Sequence, residues 1–253
     1  MVRHGAIADY DKAIELNPKF SAAYNNRGLA KNHKSDYDSA ISDCSKAIEL
    51  DPKYAKAYHN RGWAKTEKGD YDGAIADYDK FFELDSKPAS AYGSRALVKE
   101  LKGDFDGALA DLARWDESAS ILEQHDYAQL WMWTIRARRG NTAEATKELS
   151  AYLEKRRDGS PTDWPSQIGK FLLGKTSESD FLAAAAVPDP KKNRDQHCEA
   201  WYYAAVKRLL VGDKELAADY FTKCLATEAY GKGEFLRARS QLKTLGVAQH
   251  DKQ

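Results

Sequence analysis

Along the first half of the chain, apolar and small residues recur at helical spacing in blocks separated by short polar turns. In one block they are Tyr37, Ala40, Ile41, Cys44, Ala47 and Ile48. Steps of three and four place all six on one face of a helix. The turns that precede such blocks read Lys34-Ser35-Asp36, Lys68-Gly69-Asp70 and Lys102-Gly103-Asp104. Gly69 and Gly103 suit the left-handed backbone that ends a helix. Pro18 and Pro52 stop the second helix of a pair and lead into the next.

The blocks repeat. Tyr24 opens YNNRGLAK, Tyr58 opens YHNRGWAK and Tyr92 opens YGSRALVK, each 34 residues after the last. With these tyrosines at position 4, three repeats cover 21–54, 55–88 and 89–122. Position 8 is Gly28, Gly62 and Ala96, and position 20 is Ala40, Ala74 and Ala108. Position 24 is Cys44, Tyr78 and Leu112, and position 32 is Pro52 and then Ser86. Small residues at positions 8 and 20 let the two helices of a repeat, A and B, approach closely.

Length, order and spacing together resemble the tetratricopeptide-repeat family. The resemblance implies an all-α fold, a right-handed superhelical solenoid of antiparallel helix pairs, and a role in binding proteins rather than catalysis. Position 7, usually Leu in the family, is Arg27, Arg61 and Arg95; position 11, usually aromatic, is Lys31, Lys65 and Lys99. Arg at position 7 recurs with Asp at position 23, namely Asp9, Asp43, Asp77 and Asp111. This coupling predicts ion pairs where helices pack.

Both ends depart from the pattern. Residues 1–20 read as half a repeat, with a helix B over 4–17 and no helix A. Its apolar set, Ile7, Tyr10, Ala13, Ile14 and Leu16, then has only helix 21–34 to cover it. Either fraying or a symmetric homodimer through this N-terminal edge is expected. From 123 to 253 the pairs are degenerate. Helices are expected over 125–139, 142–156, 164–173, 179–186, 196–211 and 214–227, with a capping helix over 234–245. Breaks fall at Asp158-Gly159-Ser160-Pro161 and Pro188-Asp189-Pro190. Ala205, Ala217, Phe221 and Cys224 take positions 8, 20, 24 and 27 of a last repeat. The segment WPSQIGKFLLGKTSESDF, the stretch HCEAWYYAAVKRLLVGDKELAADYFTKCLA and the terminal LKTLG resemble the NlpI family of bacterial lipoproteins. That resemblance implies a periplasmic or outer-membrane adaptor for cell-wall hydrolases.

Composition narrows the function classes. Of 253 residues, 39 are Lys or Arg and 39 Asp or Glu, a formal net charge of zero. A nucleic-acid binder normally carries a basic excess, so no nucleic-acid partner is expected. No apolar run reaches the roughly 18 residues of a membrane span. No signal peptide is visible, so the chain as written reads as cytoplasmic. Cys44, Cys198 and Cys224 have no metal-ligand spacing and do not form a disulfide framework. His4, His33, His59, His125, His197 and His250 are scattered, and no Gly-rich phosphate loop occurs. Neither a catalytic site, a cofactor nor a metal is expected. Five of the six tryptophans, from Trp115 onward, are expected in the core.

The concave face of such a solenoid is lined by helix A. The expected peptide-binding residues are Asn25, Asn26, Leu29, Asn32 and His33, then Lys56, His59, Asn60, Trp63 and Glu67, then Ser94 and Leu97. Amide and imidazole groups can bond an extended peptide backbone, and the stripe Leu29, Trp63 and Leu97 can bury its side chains. The same asparagines could instead bond between repeats. The family's clamp for carboxy-terminal tails wants Lys at position 5 and Asn or Arg at position 9. Positions 5 and 9 are Asn25 and Leu29, His59 and Trp63, and Gly93 and Leu97, which disfavours that ligand. A structural unit that assembles solenoid to solenoid is the rival reading.

Overall fold

The computed structural model describes residues 6–85, 89–156, 160, 162–230 and 232–247, without the side chains of residues 89 and 90. The start of the first expected helix, Ser86, most of the break at 158–161, and His4 and His250 lie outside them. The described residues form fourteen helices and no strand. They are α1 (Ala6–Leu16), α2 (Ser21–Asn32), α3 (Tyr37–Leu50), α4 (Ala55–Lys68), α5 (Tyr71–Leu84), α6 (Ala89–Lys102) and α7 (Phe105–Ser118). There follow α8 (Leu122–Arg138), α9 (Thr142–Lys155), α10 (Trp164–Leu172), α11 (Glu178–Ala184), α12 (Pro190–Leu210), α13 (Lys214–Ala226) and α14 (Gly233–Thr244). Two compact units divide within α7, Met1–Arg114 and Trp115–Gln253.

In the first unit each repeat is a helix pair, and from α1 to α6 each helix packs on the next in sequence. The turn chemistry is as the sequence requires. Gly69 and Gly103 take φ of 81° and 89°, and Ser35 is forced into the same left-handed region at φ 61°. The following aspartates cap helix B: Asp36, Asp70 and Asp104 accept from the backbone N–H of Ser39, Gly73 and Gly107. Such a cap satisfies a donor that the helix itself leaves unpaired. At position 8 the approach is close enough to exclude a methyl. A Cβ on Gly28 would lie 2.8 Å from Cys44 Sγ and 3.2 Å from the Ala40 carbonyl oxygen. The buried core here is built largely from alanines, among them Ala40, Ala57, Ala64, Ala74, Ala96 and Ala108, with Tyr78, Phe81 and Leu112 as the bulky members.

The second unit is packed differently. One cluster joins α8 to α14 through Trp133, Leu149, Trp164, Phe171, Phe181, Tyr202, Tyr203, Phe221 and Phe235. Phe181 stacks on Trp164 at 5.4 Å and on Phe171 at 4.2 Å. Trp131, Trp133 and Trp164 are buried, whereas Trp115 and Trp201 are only partly covered. One expected boundary is corrected. The sequence predicts a break at Pro188-Asp189-Pro190 and a helix from 196, but α12 begins at Pro190. Proline is at home in a first helical turn, where its missing N–H costs nothing, and Asp189 caps it by accepting from Lys192 N at 2.7 Å.

Candidate functional site

The arginines at position 7 and the aspartates at position 23 meet within each repeat, as their coupling predicts. Arg27 Nε and Nη2 donate to Asp43 at 2.8 and 2.6 Å. Arg61 repeats this on Asp77 and Arg95 on Asp111. The lysine at position 11 completes the cluster: Lys31, Lys65 and Lys99 each lie 2.8 Å from the same carboxylate. The two departures from the family template are therefore one device, a buried carboxylate held by a guanidinium and an ammonium one turn apart on helix A. The remaining arginine nitrogen reaches back to position 25 of the preceding helix B: Asp11, Ser45 or Asp79. Each guanidinium also lies over an aromatic ring, Tyr24, Tyr58 or Phe82. Hydrogen bonds donated to Asp43 and Asp77 hold the guanidinium pKa of Arg27 and Arg61 above the ordinary value. Asp9 does not take part and is exposed. These groups tie repeats together and leave little to offer a ligand.

Helix A divides the expected peptide-binding residues into two sets. Asn25, Asn32 and Asn60 are buried in the seam between α2 and α4. Asn60 Nδ2 donates to Asn25 Oδ1 at 2.9 Å, and Asn32 Nδ2 donates to the Asn60 carbonyl oxygen at 2.9 Å. Their exposure on the helix-A face, Asn60 beside Trp63 above all, is thereby corrected: buried amides demand partners, and these find them between repeats. His59 is also turned inward, with its ring 5.6 Å from Tyr78 and 5.3 Å from Phe81. Burial lowers its pKa, a hydrogen bond with Asn60 opposing. Ser94 hydrogen-bonds the buried Tyr78 phenol.

The second set stays on the surface. Asn26, Leu29 and His33 line a cavity of about 400 Å³ together with Ala6, Asp9, Tyr10 and Ala30. Trp63 is half-buried, with His33 edge-on at 5.2 Å. Leu97 and Glu67 are half-buried and Lys56 is exposed. Position 6 shows why the sets separate. Asn60 meets α2, whereas Asn26, its counterpart one repeat earlier, borders the cavity beside α1. Tyr10 and Asp9 were not foreseen as lining residues, because the sequence shows α1 only as a lone helix B.

The second unit holds a larger cavity, about 590 Å³, whose walls include Asp126, Tyr127, Arg156, Asp163, Trp164, Gln196, Glu199 and Lys232. Sequence reasoning missed it, since its residues come from α8, α12 and the segments around α10 and before α14. Its floor is a polar network. The buried Glu199 carboxylate accepts from Tyr127 Oη at 2.9 Å, Trp164 Nε1 at 2.6 Å and Lys232 Nζ at 2.7 Å. Burial and nearby Glu234 raise the Glu199 carboxyl above the usual carboxylate range, against the pull of Lys232. Arg156 bridges Asp126 and Asp163 and donates to Ser166 Oγ. All three carboxylates, Glu199, Asp126 and Asp163, are committed to more than one donor, as in a structural clamp. Among the described residues no group of three His, Cys, Asp or Glu could hold a metal ion, and no helix is long and apolar enough to cross a membrane.

Residues 21–54 match a sequence profile of the tetratricopeptide repeat, and residues 44–76 match a second profile of the same repeat. No curated protein matches the chain in sequence. Solved structures share its fold. A tetratricopeptide repeat protein from Parabacteroides merdae is 17% identical, over 94% of this chain and 91% of that one, with a TM-score of 0.55. The C-terminal part of a TPR repeat-containing protein from Cytophaga hutchinsonii is 17% identical, over 90% and 92%, with a TM-score of 0.55. YrrB, described as a TPR protein with an unusual peptide-binding site, is 19% identical, over 91% and 97%, with a TM-score of 0.50.

Proposed function

We propose that this chain, a member of the tetratricopeptide-repeat family, works as a scaffold that binds an extended peptide segment of a partner along the helix-A face of its first unit. The fold is that of protein-interaction scaffolds in general. One observation carries the finer reading. Asn26, Leu29 and His33 border an open cavity, and Trp63 continues the strip by its edge contact with His33. The strip offers an amide and an imidazole to a peptide backbone, and a leucine and an indole to its side chains. Half-exposed tryptophans of this kind dominate binding energies when a partner seals them from water.

The test uses peptides selected from a random displayed library against the whole chain. Calorimetry then compares wild type with Trp63→Ala. The expected result is a loss of at least about 30-fold in affinity, corresponding to about 2 kcal/mol, with melting temperature little changed. Unchanged affinity, or a large fall in melting temperature, contradicts the reading.

A second copy of the chain is the alternative partner, through the edge formed by α1. Leu16 and Phe20 favour it, being 76% and 46% exposed beside that helix. Light scattering decides: a concentration-independent monomer mass removes this alternative.

A further inference from the structure

Two of the three cysteines, far apart in sequence and without any motif, come together in the fold. Cys198 on α12 and Cys224 on α13 are both fully buried, and their sulfurs lie 3.0 Å apart. Two thiol sulfurs in ordinary van der Waals contact sit further apart than this, and a disulfide needs about 2.05 Å. Closing the remaining gap asks for a shift of about 1 Å, shared between two packed helices. Cys224 Sγ also lies 3.9 Å from the Glu234 carbonyl oxygen, and the charges of Glu234 and Arg237 act on its thiol in opposite senses. Cys44, the third cysteine, belongs to the other unit and packs against position 8 of its own repeat.

We infer that Cys198 and Cys224 form a redox-modification site, a dithiol that a small two-electron oxidant of the peroxide class converts into a disulfide joining α12 to α13. The balance is simple. One thiol sulfur attacks the peroxide, becoming a sulfenic acid and releasing the first water. The neighbouring sulfur attacks that sulfenic sulfur, the S–S bond forms, and the hydroxyl leaves with the second thiol proton as another water. Two thiols are oxidised by two electrons and one peroxide is reduced to two waters. Burial, followed by the adjacent Cys198, holds the Cys224 thiol well above its ordinary pKa. Thiolate is the attacking species, so the reaction is slow at neutral pH and accelerates as pH rises. A bulky disulfide such as oxidised glutathione has no path to the sealed sulfurs and reacts far more slowly than peroxide.

The experiment treats the reduced full chain with hydrogen peroxide, removes the oxidant, alkylates under denaturing conditions and reads intact mass and peptide maps. The expected result is a loss of about 2 Da before alkylation, one remaining alkylation, at Cys44, and a cross-linked peptide containing Cys198 and Cys224. The melting temperature of the oxidised chain rises by roughly 5–10 °C, because the staple restricts the unfolded chain. Cys198→Ala and Cys224→Ala each abolish the mass loss. Three alkylations after oxidation, sulfinic or sulfonic acids without a cross-link, or a cross-link through Cys44 would overturn the assignment, and the wild-type chain alone suffices to show any of them.

Discussion

The two units of this chain solve the same problem, packing antiparallel helices, with opposite materials. The first packs alanine and glycine at close approach and fastens each repeat with a copy of the same cluster, Arg27–Lys31–Asp43, Arg61–Lys65–Asp77 or Arg95–Lys99–Asp111. The second fills its centre with aromatic rings and buries polar networks around Glu199 and Asp126. Stability in the first is therefore distributed and repeated, as in other repeat arrays. In the second it is concentrated in one core. Damage to the first should be local and partial, and damage to the second should be large wherever the stack is touched.

The largest effect is expected at Phe181, which is fully buried and stacked with both Trp164 and Phe171. Phe181→Ala should destabilise the second unit by about 4 kcal/mol, measured by denaturant unfolding. A cost below about 2 kcal/mol would mean that the aromatic cluster is not the single core described. Arg61→Ala comes next. Asp77 is 5% exposed and keeps Lys65 when the arginine is lost, and Arg61 is itself one-fifth exposed. The expected cost is about 2 kcal/mol, less than for a buried carboxylate stripped of its only partner. Hydrogen exchange should show the loss confined to α3–α6. A change in protection of α8–α14 would break the contrast between the units.

Smaller effects sharpen the comparison within the first unit. Ser35 holds the left-handed position that its sister repeats give to Gly69 and Gly103. Ser35→Gly should stabilise by about 1 kcal/mol, read as a higher melting temperature. Last is His59, whose pKa is lowered by burial against Tyr78 and Phe81. The unfolded chain takes up a proton on this ring below about pH 6.5, where the folded ring stays neutral. Its contribution is present above that pH and lost as pH falls toward the folded value. His59→Phe should therefore match wild type at pH 8 and exceed it by a widening margin in thermal melts at pH 6 and 5. A margin that does not depend on pH would show that the ring is not titrating from a buried site.

Much of this was legible in the sequence because repetition is its own evidence. The helix pairs, their turns and the Arg–Asp coupling could all be read from residues 34 apart. The role of Lys31, Lys65 and Lys99 was visible only as a departure from the family, since nothing in one helix shows that a lysine one turn from an arginine shares its carboxylate. The candidate site was half legible. Asn26 and Asn60 hold the same position, yet one borders a cavity and the other bonds Asn25, because their neighbours differ and their own residue type does not. In the second unit the cavity joins distant segments without periodicity, and the Cys198–Cys224 contact falls inside the last helix pair, where position alone does not show that two sulfurs meet.

If the open strip of α2 and α4 binds peptide, the Arg–Lys–Asp clusters hold the repeats and take no part in that binding. Chemical-shift mapping of the isotope-labelled chain, titrated with a library-selected peptide, tests it most directly. Saturable shifts are expected at Asn26, Leu29, His33 and Trp63, with residues around Asp77 and the Glu199 network unmoved. Shifts centred on the cavity of the second unit, with the α2–α4 strip silent, would contradict it.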